Sequence, residues 1–94
     1  MMLDQIDFAK VEVLRKHLML TQNDMAQVFG VSRITYLSWI KGTPLRQKNL
    51  TNAKRIIRRL VGLVKDHDWP SLEVRKLEHQ DRLQKLLAAL ENGA

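Results

Sequence analysis

Cysteine is absent from the 94 residues, which excludes disulfides, thiolate metal sites and a cysteine nucleophile and agrees with a reducing compartment. Turn formers are scarce, with four glycines and two prolines, and aromatic residues make up only 5%. No apolar run approaches the roughly 20 residues that span a bilayer. The N-terminus carries Asp4 and Asp7 where a signal peptide needs basic residues. A soluble, cytoplasmic chain with no membrane segment is therefore expected. Acid is the most informative absence. Residues 25–65 contain Arg33, Lys41, Arg46, Lys48, Lys54, Arg55, Arg58, Arg59 and Lys65 but neither Asp nor Glu, so this stretch carries +9 in a chain whose net charge is +6. Both flanks are mildly acidic. A segment with nine like charges and no internal counter-ion repels itself unless it meets a polyanion, and duplex phosphate is the commonest one.

With 45% apolar residues, the chain can bury one core and not two, so a single domain is expected over residues 1–94, with a core at 1–66 and a helical extension at 67–94. The abundance of Leu, Lys, Arg, Gln, Ala and Glu favours helices, and the fold class expected is all-α, a small bundle of five or six helices. Asp7 caps a helix over 8–18, with Ile6 and Val11 placed as a hydrophobic staple. Its inward stripe is Val11, Leu14 and Leu18, leaving Lys10, Glu12, Arg15, Lys16 and His17 outside. Thr21 with Asp24 forms a weak capping box for a helix over 22–29 that stops at Gly30. Ser32 caps a helix over 33–41, closed by Gly42 and Pro44. Leu50, Ala53, Ile57, Leu60 and Val64 form the next stripe, reaching about Lys65. Pro70 forces a break over 66–71, with Trp69 as a plug at the core edge. The tail, with Leu72, Val74 and Leu77 and then Leu83, Leu86, Leu87 and Leu90, reads as one helix or two and ends at Asn92 and Gly93.

The run TQNDMAQVFGVSRITYLSWIKG, residues 21–42, places two short capped helices on either side of one glycine. It resembles the helix-turn-helix of the lambda repressor and Cro family of phage and bacterial regulators. In that family the first helix begins with Gln, here Gln22. A small residue faces the second helix, here Ala26, and Gly fills the turn, here Gly30. Met25, Phe29, Val31, Tyr36 and Trp39 fall at the apolar positions that lock the two helices together. The resemblance covers the first two thirds of the chain. It implies sequence-specific binding of double-stranded DNA, regulation of transcription, most simply as a repressor, and a homodimer on half-sites about one helical turn apart.

Within that frame Arg33, at the exposed N-terminal end of the second helix, is the leading base reader, since its fork matches guanine O6 and N7. Ser32, Ile34, Leu37 and Ser38 share its face, the apolar pair suiting thymine methyls. Gln22 and Asn23 sit where helix N–H groups attract phosphate, and Lys41, Arg46 and Lys48 follow in a loop that grips the backbone. Two departures stand out. Ile34, Leu37 and Ile40 are apolar where polar residues are commoner, so part of this face either reads methyl groups or packs against protein. Tyr36 replaces an aliphatic residue, and its hydroxyl is within reach of a phosphate. Lys54, Arg55, Arg58 and Arg59 extend the basic field or pair with tail acids.

Catalysis and metal binding are not expected: His17, His67 and His79 are widely separated in sequence, no ligand cluster or glycine-rich phosphate loop occurs, and no cofactor is implied. The competing reading is an antitoxin-like or phage protein-interaction module on the same scaffold. It would use an exposed apolar patch, for which the tail leucines are candidates along with Ile34, Leu37 and Ile40. Those leucines serve equally well as a dimerisation element.

Overall fold

Side-chain caps set most of the helix starts in the structure, a computed structural model that describes residues 5–91. Asp7 accepts the Ala9 N–H at 3.0 Å and opens α1, Phe8–His17. Thr21 and Asp24 form the full reciprocal box for α2, Gln22–Phe29, with bonds of 3.0 and 2.9 Å. Ser32 accepts the Thr35 N–H at 3.1 Å to start α3, Arg33–Ile40. Helix α4, Gln47–His67, begins at Arg46 without a side-chain cap and ends at Asp68 in the left-handed conformation. Ser71 caps the single turn α5, Leu72–Arg75, and α6 runs over His79–Glu91. The tail is thus two helices, and α6 starts inside the polar stretch that separates the two leucine groups. The expected stop at Asn92 and Gly93 lies outside the described residues. Among the described residues the fold is all-α, with six helices and no strand.

The turn between α2 and α3 shows why glycine stands there. Gly30 has φ +76°, and a Cβ built on it would meet nothing within 4 Å. Backbone conformation, not space, makes the demand. The Val31 N–H then reaches the Ala26 carbonyl at 2.9 Å, the six-to-one bond that closes a helix end before the chain reverses.

The few aromatic residues are concentrated. Phe8, Phe29, Tyr36 and Trp39 form one cluster with ring centroids 5.7 to 6.5 Å apart, mostly edge to face. Each such pair adds about 0.5–1.5 kcal/mol beyond area burial, so α1, α2 and α3 are held around one joint. Met25 and Ala26 are buried against it. Helix α2 packs on α3 and α4, α1 on α3, and α6 on both α4 and α5. The buried face of α4 is Leu50, Ala53, Ile56, Leu60 and Leu63. This corrects the expected stripe: Ile57 and Val64 are only half-buried, because the apolar arc of α4 is wider than its partners and they cover its other edge. Leu83, Leu86 and Leu90 join the same core, and Arg59 Nη1 donates to the Leu90 carbonyl at 2.6 Å. Three of the tail leucines are thus turned into the chain's own interior, while Leu77 and Leu87 are half-buried and Leu72 is exposed. Trp69 packs against the core edge, as its place beside Pro70 suggested.

Candidate nucleic-acid interface

Helix α3 has two unlike sides. Tyr36 and Trp39 are buried, and Ile40, half-buried, packs against the core. Of the two readings open for Ile40, packing is the one the structure shows. On the opposite side Ser32, Arg33 and Ile34 are exposed, Ile34 at 81%. Leu37 and Ser38 follow one turn later on the same face, both half-buried. Ser32 Oγ accepts the capping N–H and also bonds Thr35 Oγ1 at 3.0 Å, while Ser38 Oγ donates to the Thr35 carbonyl at 2.7 Å. The two hydroxyls thus tie down the first turns of the helix and leave Arg33 and Ile34 as its projecting side chains.

Lys41 is the C-cap of α3, and Arg46 and Lys48 stand at the start of α4, all three exposed. The connecting loop is anchored from the N-terminal segment, because Gln5 Oε1 accepts the Leu45 N–H at 3.1 Å. Asn23 is exposed at the start of α2 and Gln22 is half-buried. The ten sequence-predicted residues thus fall at the start of α2, on the outer face and C-cap of α3, and at the start of α4; Lys48, expected in the loop, is on the first turn of α4, which already begins at Gln47.

The largest correction concerns Glu12, Arg15 and Tyr36. Glu12 and Arg15, expected outside, have side chains only 17% and 13% exposed. Glu12 accepts from Arg15 at 2.8 and 3.0 Å, from Gln22 Nε2 at 3.1 Å and from the Tyr36 hydroxyl at 2.6 Å. Arg15 also donates to the Leu20 carbonyl at 2.6 Å, closing the α1–α2 turn. The Tyr36 hydroxyl is therefore not a phosphate ligand: the residue is fully buried, and its O–H donates to Glu12. Burial pushes the Glu12 carboxyl up, but the hydrogen bonds from Arg15, Tyr36 and Gln22 and the charge of Arg15 outweigh it and hold the group at about 2. Burial, then the bond to Glu12, pushes the Tyr36 phenol up. The hydrogen bond to Glu12 raises Arg15.

A second link escaped sequence reasoning. Asp24, 4% exposed, faces His79 of α6 at 2.8 Å and so ties the tail to the capping box of α2. Arg55 donates to Asn52 Oδ1 at 2.7 Å, and Asn52 in turn donates to the Phe29 carbonyl at 3.2 Å. The opposite charges of Glu12 and Arg15 at i, i+3 were a readable signal, as was a tyrosine in an otherwise apolar lock, since a buried phenol needs a partner. Nothing in sequence connects Asp24 with His79. Among the described residues no group of three or more His, Asp or Glu could hold a metal ion, and no helix is long and apolar enough to cross a membrane.

Two capped helices joined by a left-handed glycine, the second locked from behind and open in front, define a helix-turn-helix. Residues 11–60 match the model of the helix-turn-helix family, more than half of the 94 residues. The chain belongs to that family, in its lambda repressor-like branch, whose members are DNA-binding transcription regulators. No curated protein and no solved structure matches it.

Proposed function

We propose that this protein is a sequence-specific repressor of phage or bacterial type that binds double-stranded DNA in the cytoplasm as a homodimer. The observation that carries the reading is the front of α3. Arg33 and Ile34 project from a helix that is locked behind by buried aromatics, inside a stretch of chain that contains no acid. Arg33 reads guanine through its fork, and Ile34 with Leu37 meets thymine methyls, as the geometry of the major groove allows. Gln22, Asn23, Ser32, Ser38, Lys41, Arg46 and Lys48 hold the sugar-phosphate backbone on both sides of the helix and set its register. One recognition helix spans few base pairs, so two copies on a two-fold site supply the length a unique operator needs. Residues 67–94 work with residues 1–66 as one domain, a reading supported by the His79–Asp24 and Arg59–Leu90 contacts.

The test is selection of bound duplexes from a random pool at moderate salt. The winning duplex is then bound to Arg33→Ala and Arg58→Ala variants. The first is expected to relax sequence preference, and the second to weaken binding evenly across sequences and in a salt-sensitive way. A pool that yields no enriched sequence refutes the reading.

A further inference from the structure

Helix α1 carries none of the residues assigned to the DNA surface, yet Glu12 on α1 touches two of its parts. Oε1 accepts from Arg15 Nη2 and Gln22 Nε2, and Oε2 from Arg15 Nε and the Tyr36 hydroxyl. A carboxylate offers about four acceptor sites, and all are filled. We propose that Glu12 is the positioning residue of the DNA surface, its carboxylate setting the side chain of Gln22 and the seat of α3 without itself touching DNA. This rests on the reading that α2 and α3 face DNA.

The chemistry of the four donors supports it. Glu12 can only accept, so the amide nitrogen of Gln22, not its oxygen, must face it. One amide N–H is thereby spent and the rotamer held. The second N–H stays available at the first residue of α2, where unpaired backbone N–H groups also attract an anion. Arg15 lies against the carboxylate and offsets its charge, so a phosphate arriving at Gln22 does not meet a bare anion. Tyr36 lies on the buried side of the recognition helix, three residues after Arg33, and its short bond to the same carboxylate ties the rotation of α3 to the position of Gln22. An amide in place of the carboxylate keeps the shape but presents an NH2 to groups that also donate, so part of the set loses its partner.

The experiment is a double-mutant cycle on affinity for the selected duplex, with Glu12→Gln, Gln22→Ala and the double variant, each confirmed folded by circular dichroism at the assay temperature. Loss of a hydrogen bond to phosphate predicts that Gln22→Ala weakens wild-type binding about tenfold. In the Glu12→Gln background the same change is expected to cost less than about twofold, because Gln22 is already unset. A role in stability alone leaves the Gln22→Ala factor equal in both backgrounds, and that result overturns the proposal. The free protein supplies an independent readout. The Gln22 side-chain amide protons are expected at distinct NMR shifts in the wild type and near the values of an unrestrained amide in Glu12→Gln; unchanged shifts also overturn it. If no duplex is selected while the amide still responds, the DNA reading fails and the positioning of Gln22 stands. Should Glu12→Gln not fold, Arg15→Gln, which removes the anchor but keeps the carboxylate, is expected to show the same loss of coupling, and equal factors there overturn the proposal.

Discussion

Lowering the pH should dissolve the Glu12 network in a defined window, and Glu12→Gln provides the internal control. The ordinary value for the group is 4.5 and the folded protein holds it at about 2. Each unit of difference corresponds to about 1.4 kcal/mol, so the network contributes about 3 kcal/mol. Solvent reaching a side chain that is 17% exposed screens this to about 2 kcal/mol. A carboxyl that binds its proton less readily when folded stabilises the fold fully above its unfolded value. That contribution is lost as pH falls from about 4.5 towards 2. Urea unfolding of wild type and Glu12→Gln at pH 7, 4.5, 3 and 2 measures it. The difference in unfolding free energy between the two proteins is expected to be about 2 kcal/mol at pH 7 and to shrink towards zero near pH 2, where protonated Glu and Gln are nearly isosteric. All other carboxylates titrate in both proteins and cancel. A gap that stays constant across the window would mean that the ionisation of Glu12 carries none of the stability, and the account of the network would be wrong.

Gly30→Ala should cost about 1–2 kcal/mol through backbone conformation alone, since an added Cβ meets nothing at φ +76°; thermal unfolding checks this, and Gly30→Asn should recover part of the loss. Leu86→Ala, at a side chain 1% exposed, should destabilise the whole protein by about 3 kcal/mol in a single transition; a separate, earlier transition would show the tail folding apart from the helix-turn-helix. Salt should weaken operator binding with a slope of about −0.9 per phosphate neutralised. Charge-neutral substitution of Lys41 or Lys48, both exposed beside α3, is expected to reduce that slope by about one for each copy bound, and an unchanged slope removes that lysine from the backbone contacts.

The helix starts and the turn read correctly from sequence share one property, which is that their causes are local. The Thr21–Asp24 box, the Ser32 cap and the left-handed Gly30 are each decided within four residues, so a reading window of that size suffices. The Glu12–Tyr36 bond joins residues 24 apart and the Asp24–His79 contact residues 55 apart, and no periodicity encodes either. The stripe of α4 failed differently. Ile56, Ile57, Leu60, Val61, Leu63 and Val64 cover so wide an arc that either edge fits a period of 3.6, and only the positions of α2 and α6 decide which edge is buried. The tail could not be divided in advance because the interruption in its leucine pattern does not coincide with the chain break, which comes at residues 76–78 before α6 begins at His79.

The charge of the middle segment looks different once its partners are known. As composition, nine cations without an acid describe one basic field, but the structure assigns them unequal roles. Arg59 is spent on the Leu90 carbonyl and Arg55 on Asn52, so part of the positive charge of α4 ties elements of the fold together. Arg33, Lys41, Arg46 and Lys48 are all exposed and stand on α3, at its C-cap or at the start of α4. Glu12 on α1 meets none of those four and pairs instead with Arg15 on its own helix. Long-range attraction to a polyanion and the internal bonding of the fold are thus carried by separate sets of charges. The attraction can weaken with salt while the buried network, less screened, keeps α3 in place.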